Sequence, residues 1–280
     1  MRIDAHQHFI DYSTEEYPWI GEGHEVLKRS FLPGDLKPLL ESIGFEASVA
    51  VQARQSLKET EWLLQLAEEH DWIKGVVGWV DLCSPEVERQ LEQFAGHPRL
   101  KGVRHVIHDE PDLDFMLRED FLRGLSRLSA YGLTYDLLLF EQHLPNAVTV
   151  VNQFPELRFV LDHLAKPRIA GKSAAGWSRD VRRLAQSPNV YCKLSGMVTE
   201  ADWGGWKPEE FTPFLDVVFD AFGPERLMIG SDWPVCTLSR DYRAVMGIVT
   251  GYLEAYPSDV RDQVLGGNCA RFYGIDQGQA

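Results

Sequence analysis

Short apolar runs rich in β-branched residues recur along the chain, at residues 3–5, 47–52, 75–80, 100–106, 133–138, 157–161, 190–194 and 227–230. Each is nearly continuous rather than alternating, the pattern of a strand buried on both faces. The intervening segments are too long for hairpin turns and carry helical spacing with recognisable ends. Ser56-Leu57-Lys58-Glu59 reads as a capping box that opens an amphipathic run through Trp62, Leu63, Leu66 and Ala67. Ser84-Pro85 and Thr212-Pro213 each read as an N-cap followed by proline at the first helical position, and Gly223-Pro224 as a stop after Phe219 and Phe222. Residues 120–128 and 240–253 repeat apolar positions every three or four residues, whereas the helices after the fifth and sixth runs are less marked.

Eight strand–helix units in succession predict an α/β fold with parallel strands, and at 280 residues a closed (β/α)8 TIM barrel is the economical form. An open doubly wound sheet would be favoured by a Gly-x-Gly-x-x-Gly loop after the first strand. None is present, and Gly266-Gly267 lies too near the C-terminus. With no linker, internal repeat or low-complexity tract apart from a small polar tail, residues 1–280 are expected to form a single barrel domain.

Composition narrows the choice of partner. Hydrophobic residues make up 44% and charged residues 25%, as in ordinary globular chains. A net charge of −14 disfavours nucleic acid and anionic membrane surfaces. No apolar run approaches the roughly 20 residues needed to span a bilayer, and no signal peptide is visible. Cys83, Cys192, Cys236 and Cys269 are scattered, without zinc or disulfide spacing. The expected setting is cytoplasmic, with a small-molecule partner; a homo-oligomer stays open.

In such a barrel the active site is built at the C-terminal ends of the strands. His6 and His8 follow the first strand, and residues two apart on an extended segment face the same side. The pair fits metal binding or paired hydrogen bonding, and equally an incidental hydrogen-bonded turn. Arg104 at the end of strand four suits a substrate carboxylate or hydroxyls, or a structural salt bridge to Asp136 or another acid. His105 should point away from Arg104's side. Strand six runs into Asp162-His163, a setting for an oriented imidazole. Lys193 on strand seven reaches substrate or anchors an ion pair. Asp232 leaves strand eight, which barrel closure places beside strand one, so His6, His8 and Asp232 are expected to meet; the competing role for Asp232 is to cap the next helix.

His6-Gln7-His8, Asp162-His163-Leu164-Ala165-Lys166-Pro167, Gly230-Ser231-Asp232-Trp233-Pro234 and Gly267-Asn268-Cys269-Ala270-Arg271-Phe272-Tyr273 together resemble the amidohydrolase superfamily. More closely they resemble its sugar-lactonase group, which contains L-fuconolactonase and L-rhamnonolactonase and is related to the dicarboxypyrone lactonases. Tyr17-Pro18-Trp19 adds to the likeness, which runs from end to end. The resemblance implies a hydrolase with its water near His6, His8, His163 and Asp232. Many members hold two metals through a carboxylated lysine after strand four and a histidine after strand five; here Arg104 and Asp136 stand there, which argues against a two-metal centre.

On this reading Asp232 is the general base for a water that attacks the lactone carbonyl, and His163, aided by His6 or His8, polarises that carbonyl and helps protonate the leaving hydroxyl. Either no cofactor is required, or a single zinc or manganese ion sits on His6, His8 and Asp232. Trp19 and Trp233 stack on a sugar ring or pack in the core, while Arg104, Asp136 and Lys193 bond its hydroxyls. The alternatives are a lactone isomerase, a metal-dependent decarboxylase on a related barrel, and a noncatalytic sugar-acid binding protein. The stereochemistry and ring size of the sugar are not encoded in any local motif.

Overall fold

A computed structural model describes residues 1–171 and 174–276; the small polar tail lies outside them. The strands are β1 (Ile3–Gln7), β2 (Ala47–Val51), β3 (Ile73–Gly78), β4 (Leu100–Val106), β5 (Thr134–Leu138), β6 (Phe159–Leu161), β7 (Val190–Leu194) and β8 (Leu227–Ile229). They lie in sequence order in one sheet, each parallel to the next. The ring closes where β1 meets the chain leaving β8: His8 N–H donates to Trp233 O at 2.6 Å, and Asp232 N–H donates to His6 O at 2.8 Å. The (β/α)8 barrel expected from the apolar runs is therefore the fold.

Eight helices connect and flank the strands: α1 (Pro33–Glu41), α2 (Leu57–Glu69), α3 (Val87–Phe94), α4 (Glu119–Leu128), α5 (Leu144–Gln153), α6 (Ala175–Ala185), α7 (Thr212–Phe222) and α8 (Tyr242–Tyr252). Two of their starts and one expected capping box differ from expectation. α2 begins after Ser56, but the Glu59 carboxylate accepts from the backbone N–H groups of Ala53 and Arg54 and from Arg54 Nε. It is an acceptor for the preceding loop, so no capping box forms. Ser84 Oγ accepts from Glu86 N–H, which makes a turn and delays α3 to Val87. Thr212 is the first residue of α7 and Phe211 its cap. α8 is capped as side-chain chemistry dictates, with Asp241 accepting from Ala244 N–H at 2.9 Å.

One apolar layer lies between strands and helices, containing Phe9, Phe31, Tyr135, Phe159 and Phe222 among others. A second lies inside the barrel, where Ile3, Ala47, Val160 and Met228 pack with Phe272 and Tyr273 of a further short helix, α10 (Asn268–Tyr273), which follows α9 (Ser258–Asp262). These contacts fall on the N-terminal ends of several strands, so the chain terminus plugs that end of the barrel. The approach is close: a Cβ on Gly266 would lie 2.2 Å from Met1 O. With one mouth plugged, the C-terminal mouth is left for chemistry. Among the described residues no helix is long and apolar enough to cross a membrane, and the four cysteines are free.

Candidate active site

β1 carries His6 into the barrel mouth, and His8 follows just beyond it. Their Nε2 atoms are 3.2 Å apart. The loop from β8 brings the Asp232 Oδ1 to 3.2 Å from His8 Nε2 and 3.8 Å from His6 Nε2. Asp232 holds φ +58°, a left-handed conformation uncommon outside glycine, which fits a side chain aimed by tertiary constraint. Its side chain caps no helix; α8 takes Asp241 instead. His163 enters from the loop after β6, with Nε2 3.8 Å from Asp232 and its ring 4.4 Å from that of His6. The four groups that sequence placed at three strand ends thus converge.

Donor-only and acceptor-only neighbours surround the ring nitrogens. His8 Nδ1 donates to Val51 O at 2.8 Å, leaving a lone pair on Nε2. Arg104 Nη1, which can only donate, lies 3.3 Å from His6 Nε2, and Asp162 Oδ1, which can only accept, lies 3.3 Å from His6 Nδ1. Lys193 Nζ, also a donor only, lies 3.2 Å from the same Nδ1, so donors face both nitrogens of His6 and its neighbours do not select one tautomer. Burial drives the pKa values of His6 and His163 well below the usual imidazole range, so both are neutral at pH 7. Burial pushes the Asp232 carboxyl up, but the adjacent His163 and His8 outweigh it and hold the group below the ordinary aspartate value. An ionised carboxylate therefore faces neutral imidazoles.

Two imidazole nitrogens and a carboxylate oxygen gathered at one spot are the donor types that suit a divalent cation. Tetrahedral zinc ligands at about 2.0–2.2 Å from the metal lie roughly 3.3–3.6 Å from one another, close to the spacings among His6, His8 and Asp232. The bond from His8 to Val51 O is the outer-shell contact that such a ligand needs. A second group, His6, Asp162 and His163, also clusters. It shares His6 with the first, and Asp162 is already 3.1 Å from both Arg104 Nη1 and Lys193 Nζ. Its charge is matched by protein cations, so the residues fit one ion rather than two.

A cavity of about 740 Å³ opens above this cluster. His8, His163, Asp232, Arg104 and Trp19 lie on its wall, as sequence suggested for each. Three other expected substrate contacts do not reach it. Lys193 and Asp136 are wholly enclosed inside the barrel and bonded to each other at 2.5 Å, with Tyr273 Oη donating to Asp136 at 2.8 Å. Trp233 is 2% exposed and packs edge-on against Phe9 and Phe31. Its core-packing alternative is the one realised. Arg104 pairs with Asp162 rather than with its strand neighbour Asp136. His105 turns to Glu110 at 2.7 Å and stacks on Phe115, away from the cavity.

Further wall residues carried no sequence signal of their own. Trp203, on the loop after β7, lines the cavity while 36% exposed. Lys166 also lines it, three positions after His163 in a stretch singled out for its aspartate and histidine. Ser195 Oγ sits 2.8 Å from His163 Nδ1 and orients the ring. Beside it Gly196 has φ +59°, and a Cβ there would fall 2.4 Å from His163 Nδ1.

The profile of the amidohydrolase family matches residues 3–275 of this chain. The L-fucono-1,5-lactonase of Burkholderia multivorans is 42% identical over 99% of this chain and 97% of its own length. The L-fucono-1,5-lactonase of Burkholderia ambifaria is 36% identical over 99% and 97%. A crystal structure of an amidohydrolase from Burkholderia multivorans with bound zinc superposes with a TM-score of 0.95 at 42% identity, covering 99% of this chain and all of that one.

Proposed function

The chain belongs to the amidohydrolase family, and we propose that within it this protein hydrolyses a sugar-acid lactone of the L-fucono or L-rhamnono type to the free aldonic acid. The observation that carries the reading is the ionised Asp232 facing a neutral His163, with His8 beside it, on the floor of a cavity large enough for one sugar ring. The likeness to two L-fucono-1,5-lactonases supports the choice of substrate.

Lactone opening needs a nucleophilic water, an acceptor for its proton and donors for the carbonyl oxygen. Asp232 takes the proton as the water oxygen bonds to the carbonyl carbon. In the tautomer where Nδ1 accepts from the Ser195 hydroxyl 2.8 Å away, His163 carries its proton on Nε2 and donates it as a hydrogen bond to the oxygen that gains charge. The ring C–O bond then breaks, and the proton held at Asp232 passes to the leaving oxygen with His163 alongside. A divalent ion held by His6, His8 and Asp232 would lower the pKa of a bound water and polarise the carbonyl. Trp19 on the wall offers an apolar face to the sugar ring.

Proton release from a panel of sugar 1,4- and 1,5-lactones, with and without chelator and with zinc content assayed, tests the reading. Turnover of an L-fucono- or L-rhamnono-lactone is the expected result. Turnover that survives chelation assigns the chemistry to Asp232 and His163 alone, whereas activity lost on chelation and restored by zinc or manganese makes His6 and His8 ligands. Absence of turnover on every lactone sinks it.

The wedge at Gly196 gives a second expectation. Gly196→Ala places a methyl against the His163 ring on a backbone that disfavours it. Displacing a catalytic group by about 1 Å costs on the order of 10²-fold in rate. Steady-state kinetics should show that loss in kcat with KM little changed; wild-type kcat in this variant would argue that His163 has no exact position to keep.

A further inference from the structure

After β6 the backbone does something costly. His163, Leu164, Ala165 and Lys166 hold φ values of 55°, 55°, 60° and 51°, four consecutive left-handed residues with no glycine among them. Lys166 N–H donates to His163 O at 2.7 Å, closing one left-handed turn with a three-residue repeat. In such a turn residues i and i+3 eclipse, so His163 and Lys166 emerge on one side. Both line the cavity, while Leu164 and Ala165 are buried in the outer layer and Leu164 O accepts from Trp177 Nε1 at 2.6 Å. Strain of this kind persists where the surroundings enforce it, and its effect here is to set an ammonium beside the imidazole.

The ammonium is held but not used up. Lys166 Nζ donates to Glu200 Oε1 at 2.8 Å and to Thr199 Oγ1 at 3.5 Å, both on the loop after β7. Lysine has three donors, so one remains for the cavity. The other cations on the wall are more fully engaged: Arg54 binds Glu16 and Glu59, and Arg104 binds Asp162 and Gln52 O.

We propose that Lys166 is a further catalytic residue, donating to the lactone carbonyl oxygen beside His163 and then holding the carboxylate of the product. The inference rests on the lactonase reading above. As the water oxygen adds to the carbonyl carbon, the C=O electron pair moves onto the oxygen, where the Lys166 N–H meets it. One proton of the water goes to Asp232 and on to the ring oxygen as the C–O bond breaks; the other stays on the new carboxylic acid and leaves to solvent as that acid ionises, and Lys166 gives up none. A neutral substrate becomes an anion, and a fixed cation favours the second over the first.

The test uses L-fucono-1,5-lactone as substrate and its hydroxy-acid product as inhibitor. Lys166→Met should lower kcat about 10²-fold, as loss of one such donor does elsewhere, with KM within about threefold of wild type and product inhibition weakened about tenfold or more. Lys166→Arg should recover kcat to within about tenfold. Lys166→Gly, at ease at φ +51°, should keep or raise Tm while losing kcat as Met does. A lysine that only braces the turn would give the reverse, lower Tm with kcat near wild type, and overturn the proposal. Wild-type hydrolysis with undiminished turnover in Lys166→Met overturns this inference alone; a wild-type enzyme inert to every lactone overturns the parent reading and this one with it.

Discussion

Asp232→Asn is expected to lower kcat for lactone hydrolysis by about 10³- to 10⁴-fold, or roughly 4–5.5 kcal/mol of transition-state stabilisation, with KM little changed. The substitution is nearly isosteric, and asparagine is among the residues that tolerate the left-handed backbone Asp232 adopts at φ +58°. The loop from β8 therefore keeps its shape, including the backbone bond from residue 232 to His6 O that closes the barrel. An amide oxygen still accepts a hydrogen bond but cannot take a proton from water. Rate falls while fold and binding stay, and circular dichroism with ligand affinity checks the second half. Zinc content assayed in the same preparations separates loss of the base from loss of a ligand. A variant retaining a tenth or more of wild-type kcat would remove Asp232 from the role of base.

The second large effect falls on stability. Lys193→Met is expected to cost about 3–5 kcal/mol in urea unfolding, because it leaves carboxylates buried without their counter-ion. Lys193 is wholly enclosed, 2.5 Å from Asp136 and 3.1 Å from Asp162. Methionine matches the length of the stem, so the loss is electrostatic more than steric.

Its pH dependence follows from Asp136. Burial raises that carboxyl from 3.8 to about 6 against the pull of Lys193. A carboxyl with a raised folded-state pKa binds its proton more tightly folded than unfolded, so its contribution to stability falls as pH rises between those two values. Without Lys193 the folded value climbs further and the window extends upward. The deficit of Lys193→Met should thus be larger at pH 8 than at pH 5. Equal deficits at both would show that the ammonium does not offset the Asp136 charge.

The architecture was legible because burial leaves a local signature. Strands covered on both faces read as short unbroken apolar runs, and all eight fell within a few residues of their observed places, with β4 and β7 matching at both ends. Helix starts were less legible where one side chain had two uses: Glu59 fits a capping box in sequence, yet the loop before it offers two backbone N–H groups and an arginine. The cluster of His6, His8, His163 and Asp232 was legible because three strand ends carried histidine or aspartate and barrel closure is a strong rule.

The wall of the site was harder. Lys193 lies on the C-terminal half of its strand as Arg104 does, with Asp136 at the middle of its own, and nothing local distinguishes a side chain sealed inside the barrel from one at its mouth. The residue that helps seal Asp136, Tyr273, stands 137 positions away. Trp233 and Trp203 exchange the places expected of an aromatic: the one in a quoted motif packs on Phe9 and Phe31, and the one in an unremarkable loop lines the cavity.

By itself, then, the sequence determined the order and kind of elements and which polar residues leave strand ends, since periodicity and capping act over a few residues. Tertiary structure alone decided depth and partnership: that His8 Nε2 and Asp232 Oδ1, 224 positions apart in sequence, lie 3.2 Å apart, that Arg104 answers Asp162, and that a left-handed turn sets Lys166 beside His163. Those depend on closing a ring of eight strands, where a shift of about 3.3 Å, one residue along a strand, separates the sealed interior from the cavity wall.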